Sequence, residues 1–148
     1  MNNWKNIAFI TLVASALTMI NTSCNKDGAT DKVESNKAVS TQLSAEFETV
    51  QGKWLRPDGG YVLEIKELLA DNQLTVGYFN PNPINIGEAK IYKENSFIKV
   101  FVKMQDKNYP GSTYTLIYDK ESDQLRGTYF QAVQGLEYQI DFTRMPTK

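Results

Sequence analysis

Between Leu136 and Thr143 apolar and polar side chains alternate without a break: Leu136, Tyr138, Ile140 and Phe142 against Glu137, Gln139, Asp141 and Thr143. Successive side chains of a strand point to opposite faces, so this pattern gives one apolar and one wet face to a β-strand. The same period recurs along the chain. Tyr61, Leu63 and Ile65 alternate with Val62, Glu64 and Lys66; Leu74, Val76 and Tyr78 alternate with Thr75 and Gly77. Ile98, Val100, Val102 and Met104 share a face opposite Lys99 and Lys103, and Tyr114, Leu116 and Tyr118 oppose Thr113 and Thr115. A period of two, not 3.6, makes the body all-β, with half-buried antiparallel strands.

Turn chemistry divides these runs. Pro57-Asp58-Gly59-Gly60, Ala70-Asp71-Asn72-Gln73, Asn95-Ser96, Tyr109-Pro110-Gly111, Glu121-Ser122-Asp123 and Gln134-Gly135 read as turns. Asn80-Pro81-Asn82-Pro83 is expected to break any ladder through it, because proline has no amide hydrogen to give. The count is eight strands, at about 50–56, 60–68, 73–79, 84–93, 97–104, 112–119, 124–132 and 136–144. Gly87 is a candidate bulge that moves the inward face from Ile84 and Ile86 to Ala89 and Ile91. Short strands with hairpin connections and no crossover helix suggest an eight-stranded antiparallel up-and-down barrel, since closure removes the exposed edges of an open sheet. A two-sheet sandwich satisfies the same pattern. Leu43, Phe47 and Val50, spaced i, i+4 and i+7, form the stripe of a short helix that could plug one barrel end.

Composition narrows the chemistry. The 148 residues carry 16 Lys+Arg, 17 Asp+Glu, one Cys and no His, with a formal net charge of −1. No global basic field draws in nucleic acid. A Cys/His zinc site, a histidine base and an internal disulfide framework are all excluded. Asp58, Glu64, Glu67, Glu88, Asp106, Asp123 and Asp141 are scattered, mostly in turns or on polar strand faces. Asp119-Lys120-Glu121-Ser122-Asp123 has oxygen-rich spacing but lacks the glycine and distal glutamate of an EF-hand, and reads as a hairpin loop rather than a calcium site. The expectation is a non-enzyme with no catalytic residues, no metal and no cofactor.

The N-terminus reads as an address. Lys5 precedes an uncharged, mostly apolar run from Ile7 to Ile20, too short to span a bilayer core and placed as in a secretory signal peptide. Its end, Asn21-Thr22-Ser23-Cys24, resembles the lipobox of bacterial lipoproteins, in which a small residue precedes a Cys that is acylated after cleavage. Ser23 and Cys24 fit the pattern; Asn21 stands where the family usually has an aliphatic residue, a looser form found in Bacteroidetes-type bacteria. The alternative is an ordinary secreted protein with a free thiol. The resemblance implies a signal peptide over 1–23, a lipid anchor on Cys24, and a place in the bacterial cell envelope, with Asn25 pointing to the outer membrane. Lys26-Asp27 weakly resembles surface-export signals and reads equally well as solvated linker, so the membrane face stays open. Residues 24–41 are polar and apolar-poor and read as a flexible tether, leaving 42–148 as one folded domain.

Gly52-Lys53-Trp54 resembles the Gly-x-Trp of the first strand in the calycin group (lipocalins, avidins and fatty-acid-binding proteins), here preceded by a candidate short helix. In lipocalins a basic side chain near the end of the last strand covers that Trp. Arg144 ends the eighth predicted strand with the parity of Phe142, so the resemblance makes Gly52, Trp54 and Arg144 structural closure residues. A guanidinium over an indole contributes roughly 0.5–2 kcal/mol. The body also looks like that of Bacteroidetes-type envelope lipoproteins.

The aromatic residues carry the functional reading. Tyr61, Tyr78, Tyr114, Tyr129 and Tyr138 fall on inward or ambiguous faces, with Gln131 in register with Tyr129. A buried tyrosine hydroxyl needs a partner. These six residues are therefore expected to line a cavity for a small apolar or amphipathic ligand; the plainer reading places the tyrosines at barrel ends with their hydroxyls in water. Tyr78-Phe79-Asn80-Pro81-Asn82-Pro83, and with it Tyr109-Pro110-Gly111, are candidates for the rim. Two functions remain open: a lipid-anchored binding protein, and a filled barrel whose rim loops contact or inhibit an envelope partner.

Overall fold

The computed structural model describes residues 41–146. The candidate signal peptide, Cys24 and nearly all of the candidate tether lie outside the described residues. A helix, α1 (41–50), leads into nine strands: β1 (Gly52–Arg56), β2 (Tyr61–Leu68), β3 (Leu74–Asn80), β4 (Asn82–Ile84), β5 (Ile86–Glu94), β6 (Phe97–Met104), β7 (Thr113–Asp119), β8 (Gln124–Gln131) and β9 (Leu136–Arg144). All pair antiparallel in one sheet, in the order β4-β3-β2-β1-β9-β8-β7-β6-β5. The sheet curls into a nearly closed barrel, and a bridge between Gln73 and Lys90 stitches its two ends. One continuous sheet excludes the sandwich.

Alternation does what the sequence demands of it. Trp54, Leu63, Ile65, Ile91, Val100, Val102, Met104, Tyr114, Leu116, Leu125 and Phe142 point inward, all essentially unexposed, and belong to a single core cluster. Leu43, Phe47 and Val50 of α1 join the same cluster, so the helix lies across one barrel end as its stripe requires. The helix closes with Gln51 N–H donating to Phe47 O, after which Gly52 turns the chain into β1 at φ 125°, a conformation side chains other than glycine's rarely adopt. The opposite end is left to the β1–β2, β3–β4, β6–β7 and β8–β9 turns.

Gly87 is a bulge: Ile86 pairs Met104 and Glu88 pairs Lys103, leaving it unopposed and turning Ala89 and Ile91 inward. A second bulge, at Lys66 between Ile65 and Glu67, has no glycine to mark it. Three expectations need correction. The strands number nine rather than eight, because the segment after Pro81 forms β4. The Asn-Pro-Asn-Pro run does not end pairing: Asn80 pairs Asn82, Phe79 pairs Pro83 and Tyr78 pairs Ile84. Proline is tolerated there because β4 is the sheet's edge, where its missing N–H removes no further ladder bond. Finally, the alternation of β9 enters the core only at Ile140 and Phe142; Leu136 and Tyr138 are 47 % and 42 % exposed because the β8–β9 hairpin projects past the barrel end.

Candidate functional site

At the end away from α1 the barrel opens into a cleft of about 230 Å3. Its walls include all six residues singled out from the sequence: Tyr61 (β2), Tyr78 (β3), Tyr114 (β7), Tyr129 and Gln131 (β8) and Tyr138 (β9). Each tyrosine comes from a different strand and lies near the strand end that faces this opening. Their rings touch in series across the cleft, Tyr61–Tyr78 at 6.3 Å between centroids, Tyr78–Tyr114 at 5.5 Å, Tyr114–Tyr129 at 4.9 Å and Tyr129–Tyr138 at 6.2 Å. The last two contacts follow from register, because Tyr114 pairs Tyr129 and Tyr129 pairs Tyr138 in the ladders. Tyr114 and Tyr78 are buried at the floor, while Tyr138 stands at the rim with its hydroxyl 3.5 Å from Gln131 Oε1. The inner tyrosines are thus buried and Tyr138 is exposed.

Arg56, Asn80 and Tyr109 complete the cleft. Arg56 sits two residues after Trp54 on β1, so the parity that buries the indole buries the guanidinium too; an inward-facing charge next to Gly-x-Trp was the signal for it. Its Nη1 donates to the Tyr114 hydroxyl at 3.1 Å and its Nη2 to Asp58 Oδ2 at 2.7 Å. Its Cζ lies 5.0 Å from the Tyr61 ring centre and 5.5 Å from that of Tyr129. Burial works against this cation, but the hydrogen bonds to Asp58 and Tyr114 outweigh it and hold its pKa above the ordinary arginine value. The Tyr78 and Tyr114 hydroxyls lie 2.7 Å apart and share a hydrogen bond. Burial pushes the pKa of both upward, so both remain neutral. Asn80 donates to the Tyr109 hydroxyl, which ties the β3–β4 and β6–β7 turns together and brings the two candidate rim segments to one mouth.

The predicted closure residues meet at the other end. Arg144 lies over Trp54, with Cζ 4.1 Å from the ring centre. Its Nη1 donates to Gln51 O at 2.9 Å and its Nη2 to Thr49 O at 2.6 Å, satisfying carbonyls at the C-terminus of α1. Nε and Nη2 also reach Asp123 at 2.7 and 2.9 Å. A Cβ on Gly52 would stand 3.3 Å from Arg144 Nη1, so glycine makes room for the guanidinium. The carboxylates of the 119–123 loop are committed likewise: Asp123 to Arg144, and Asp119 to the backbone of Glu121 and Ser122, the Ser122 hydroxyl and Arg126.

A larger groove of about 490 Å3 runs beside α1, with Phe97, Ile98, Ile117 and Tyr118 among its walls. It is mainly apolar, whereas the tyrosine cleft has convergent polar groups. No family model, curated protein or solved structure matches this chain.

Proposed function

We propose that the protein is a lipid-anchored binding module of the bacterial cell envelope, built on a calycin-like barrel, that holds a small amphipathic molecule in the tyrosine cleft at the barrel mouth. The observation that carries this reading is the convergence of five tyrosines, Gln131 and Arg56 from six strands on one concave site. The ligand sits at the mouth rather than among the central aliphatic side chains, which pack on one another. Arg144 over Trp54, beside Gly52, is the feature of this barrel that supports the calycin-like reading. The anchor is the acylated Cys24, with the outer membrane as its place.

A second reading has its own support. Val133, Leu136 and Tyr138 expose apolar surface on the β8–β9 hairpin beside the cleft, which suits a rim that grips a protein partner. A native mass spectrum of the protein purified from its own host separates the two. A co-purifying small molecule supports the binding module; the bare polypeptide mass favours the rim interaction.

A further inference from the structure

The polar capacity of the cleft is unbalanced. A guanidinium has five N–H donors. Those of Arg56 serve Tyr114 and Asp58, while its Nε is buried and has no partner among the described residues. Arg56 as a whole is only 9 % exposed. Tyr114 and Tyr78 share a single hydrogen bond, and Tyr114 already accepts from Arg56. Two hydroxyl protons thus serve one bond, and one is left to donate. Tyr109 accepts from Asn80 and keeps its own proton. Asp58 Oδ2 already accepts from Arg56 and Gln131 Oε1 from Tyr138. What such a site lacks is an acceptor-rich partner, since buried donors left unpaired destabilise.

Resting on the binding role proposed for this cleft, we infer that its ligand is a small monocarboxylate with a flat apolar body, its carboxylate accepting from Arg56 and the floor hydroxyls and its body lying against the tyrosine rings. The planar guanidinium fork matches a carboxylate. Arg56 is the one cation among the residues that line the cleft, and Asp58 already offsets part of its charge, which suits a monoanion better than a dianionic phosphate. The volume, about 230 Å3, lies below the roughly 300 Å3 at which sites for drug-sized molecules begin.

Labelling the full chain with [15N]arginine, in detergent micelles, gives Nε–H signals from Arg56, Arg126 and Arg144 alone, and Arg56→Lys assigns the first. The probes are benzoate, its uncharged analogue benzamide, and inorganic phosphate. The expected result is a saturable shift of the Arg56 signal with benzoate, with Arg126 and Arg144 unmoved. Benzoate should bind at least about tenfold more tightly than benzamide, as a charge-assisted hydrogen bond implies. Tyr78→Phe combined with Tyr114→Phe, which removes both floor hydroxyls, should weaken benzoate about tenfold while the Arg144 signal reports an intact fold. Benzamide binding as tightly as benzoate, or phosphate more tightly, overturns the monocarboxylate and leaves the cleft as a binding site. Unchanged benzoate affinity in the double variant overturns the part given to the floor hydroxyls. No saturable shift with any probe overturns the monocarboxylate, and the binding role itself then stands or falls with the native mass spectrum.

Discussion

Arg144 and Trp54 are direct partners across the β1–β9 ladder, and the guanidinium lies 4.1 Å from the centre of the indole. The pair joins the last strand to the first, while the indole Nε1 donates to Val50 O at 2.9 Å and so fixes α1 to β1. Helix, first strand and last strand therefore meet at one fully buried ring. Trp54→Ala is expected to destabilise the protein by about 3–5 kcal/mol, the usual cost of deleting a buried aromatic side chain. An unchanged urea midpoint would remove the indole from its central place in the fold.

Arg144→Lys keeps the charge and loses the fork. A single ammonium cannot reach Thr49 O, Gln51 O and Asp123 together, so α1 should detach before the sheet melts. A loss of about 1–3 kcal/mol is expected, with faster amide exchange in residues 43–50 than in β6. Equal acceleration in both would mean that the arginine does not hold the helix in particular.

Asp123 sets a pH dependence. The hydrogen bond from Arg144 holds its carboxyl below the usual aspartate range, outweighing partial burial. A depressed folded pKa adds stability that is complete above the unfolded value, near pH 4, and is lost as pH falls through the folded value. Asp123 is about half exposed, so solvent screening keeps the effect modest. Melting temperatures of wild type and Asp123→Asn should differ above pH 4 and converge below it. A gap that persists or widens in acid contradicts the ion pair.

Gly127 stands opposite Leu116 in the β7–β8 ladder. A Cβ there would lie 2.0 Å from Thr115 O and 3.0 Å from Leu116 Cα, both backbone atoms that cannot rotate aside. Gly127→Ala should therefore cost about 1–3 kcal/mol or more through strand separation. Gly135→Ala adds a Cβ into open space and meets only the strain of its positive φ of 66°. Chemical denaturation of both variants should show the larger loss at Gly127.

The proposed anchor makes a prediction of its own. Cys24→Ala protein should leave the membrane fraction and become soluble without detergent, because several acyl chains are lost together. Continued detergent-dependent fractionation would argue against lipidation.

Much of the barrel was legible because a period of two is set by the backbone alone. Strand existence, the Gly87 bulge and the helical stripe all followed from local pattern and turn chemistry. Tyr61, Tyr78, Tyr114 and Tyr129 of the cleft were legible from the parity of their strands. Arg56 was not singled out, although its parity with Trp54 placed it inside. The β4 strand escaped because whether a proline breaks a ladder depends on its being at an edge, which is a property of the whole sheet. The outward reach of Leu136 and Tyr138 depends on how far the β8–β9 hairpin extends past its neighbours, which no local pattern encodes.

The central claim is that recognition happens in the tyrosine cleft and not in the barrel interior. A crystal structure of the protein purified from its host tests this most directly. The account predicts density for a small molecule against Arg56 and the Tyr61 and Tyr138 rings, with Trp54 and Phe142 packed as they are here. Density lodged among Leu63, Ile91 and Val100, or an empty cleft in a protein that carries its ligand elsewhere, would contradict it.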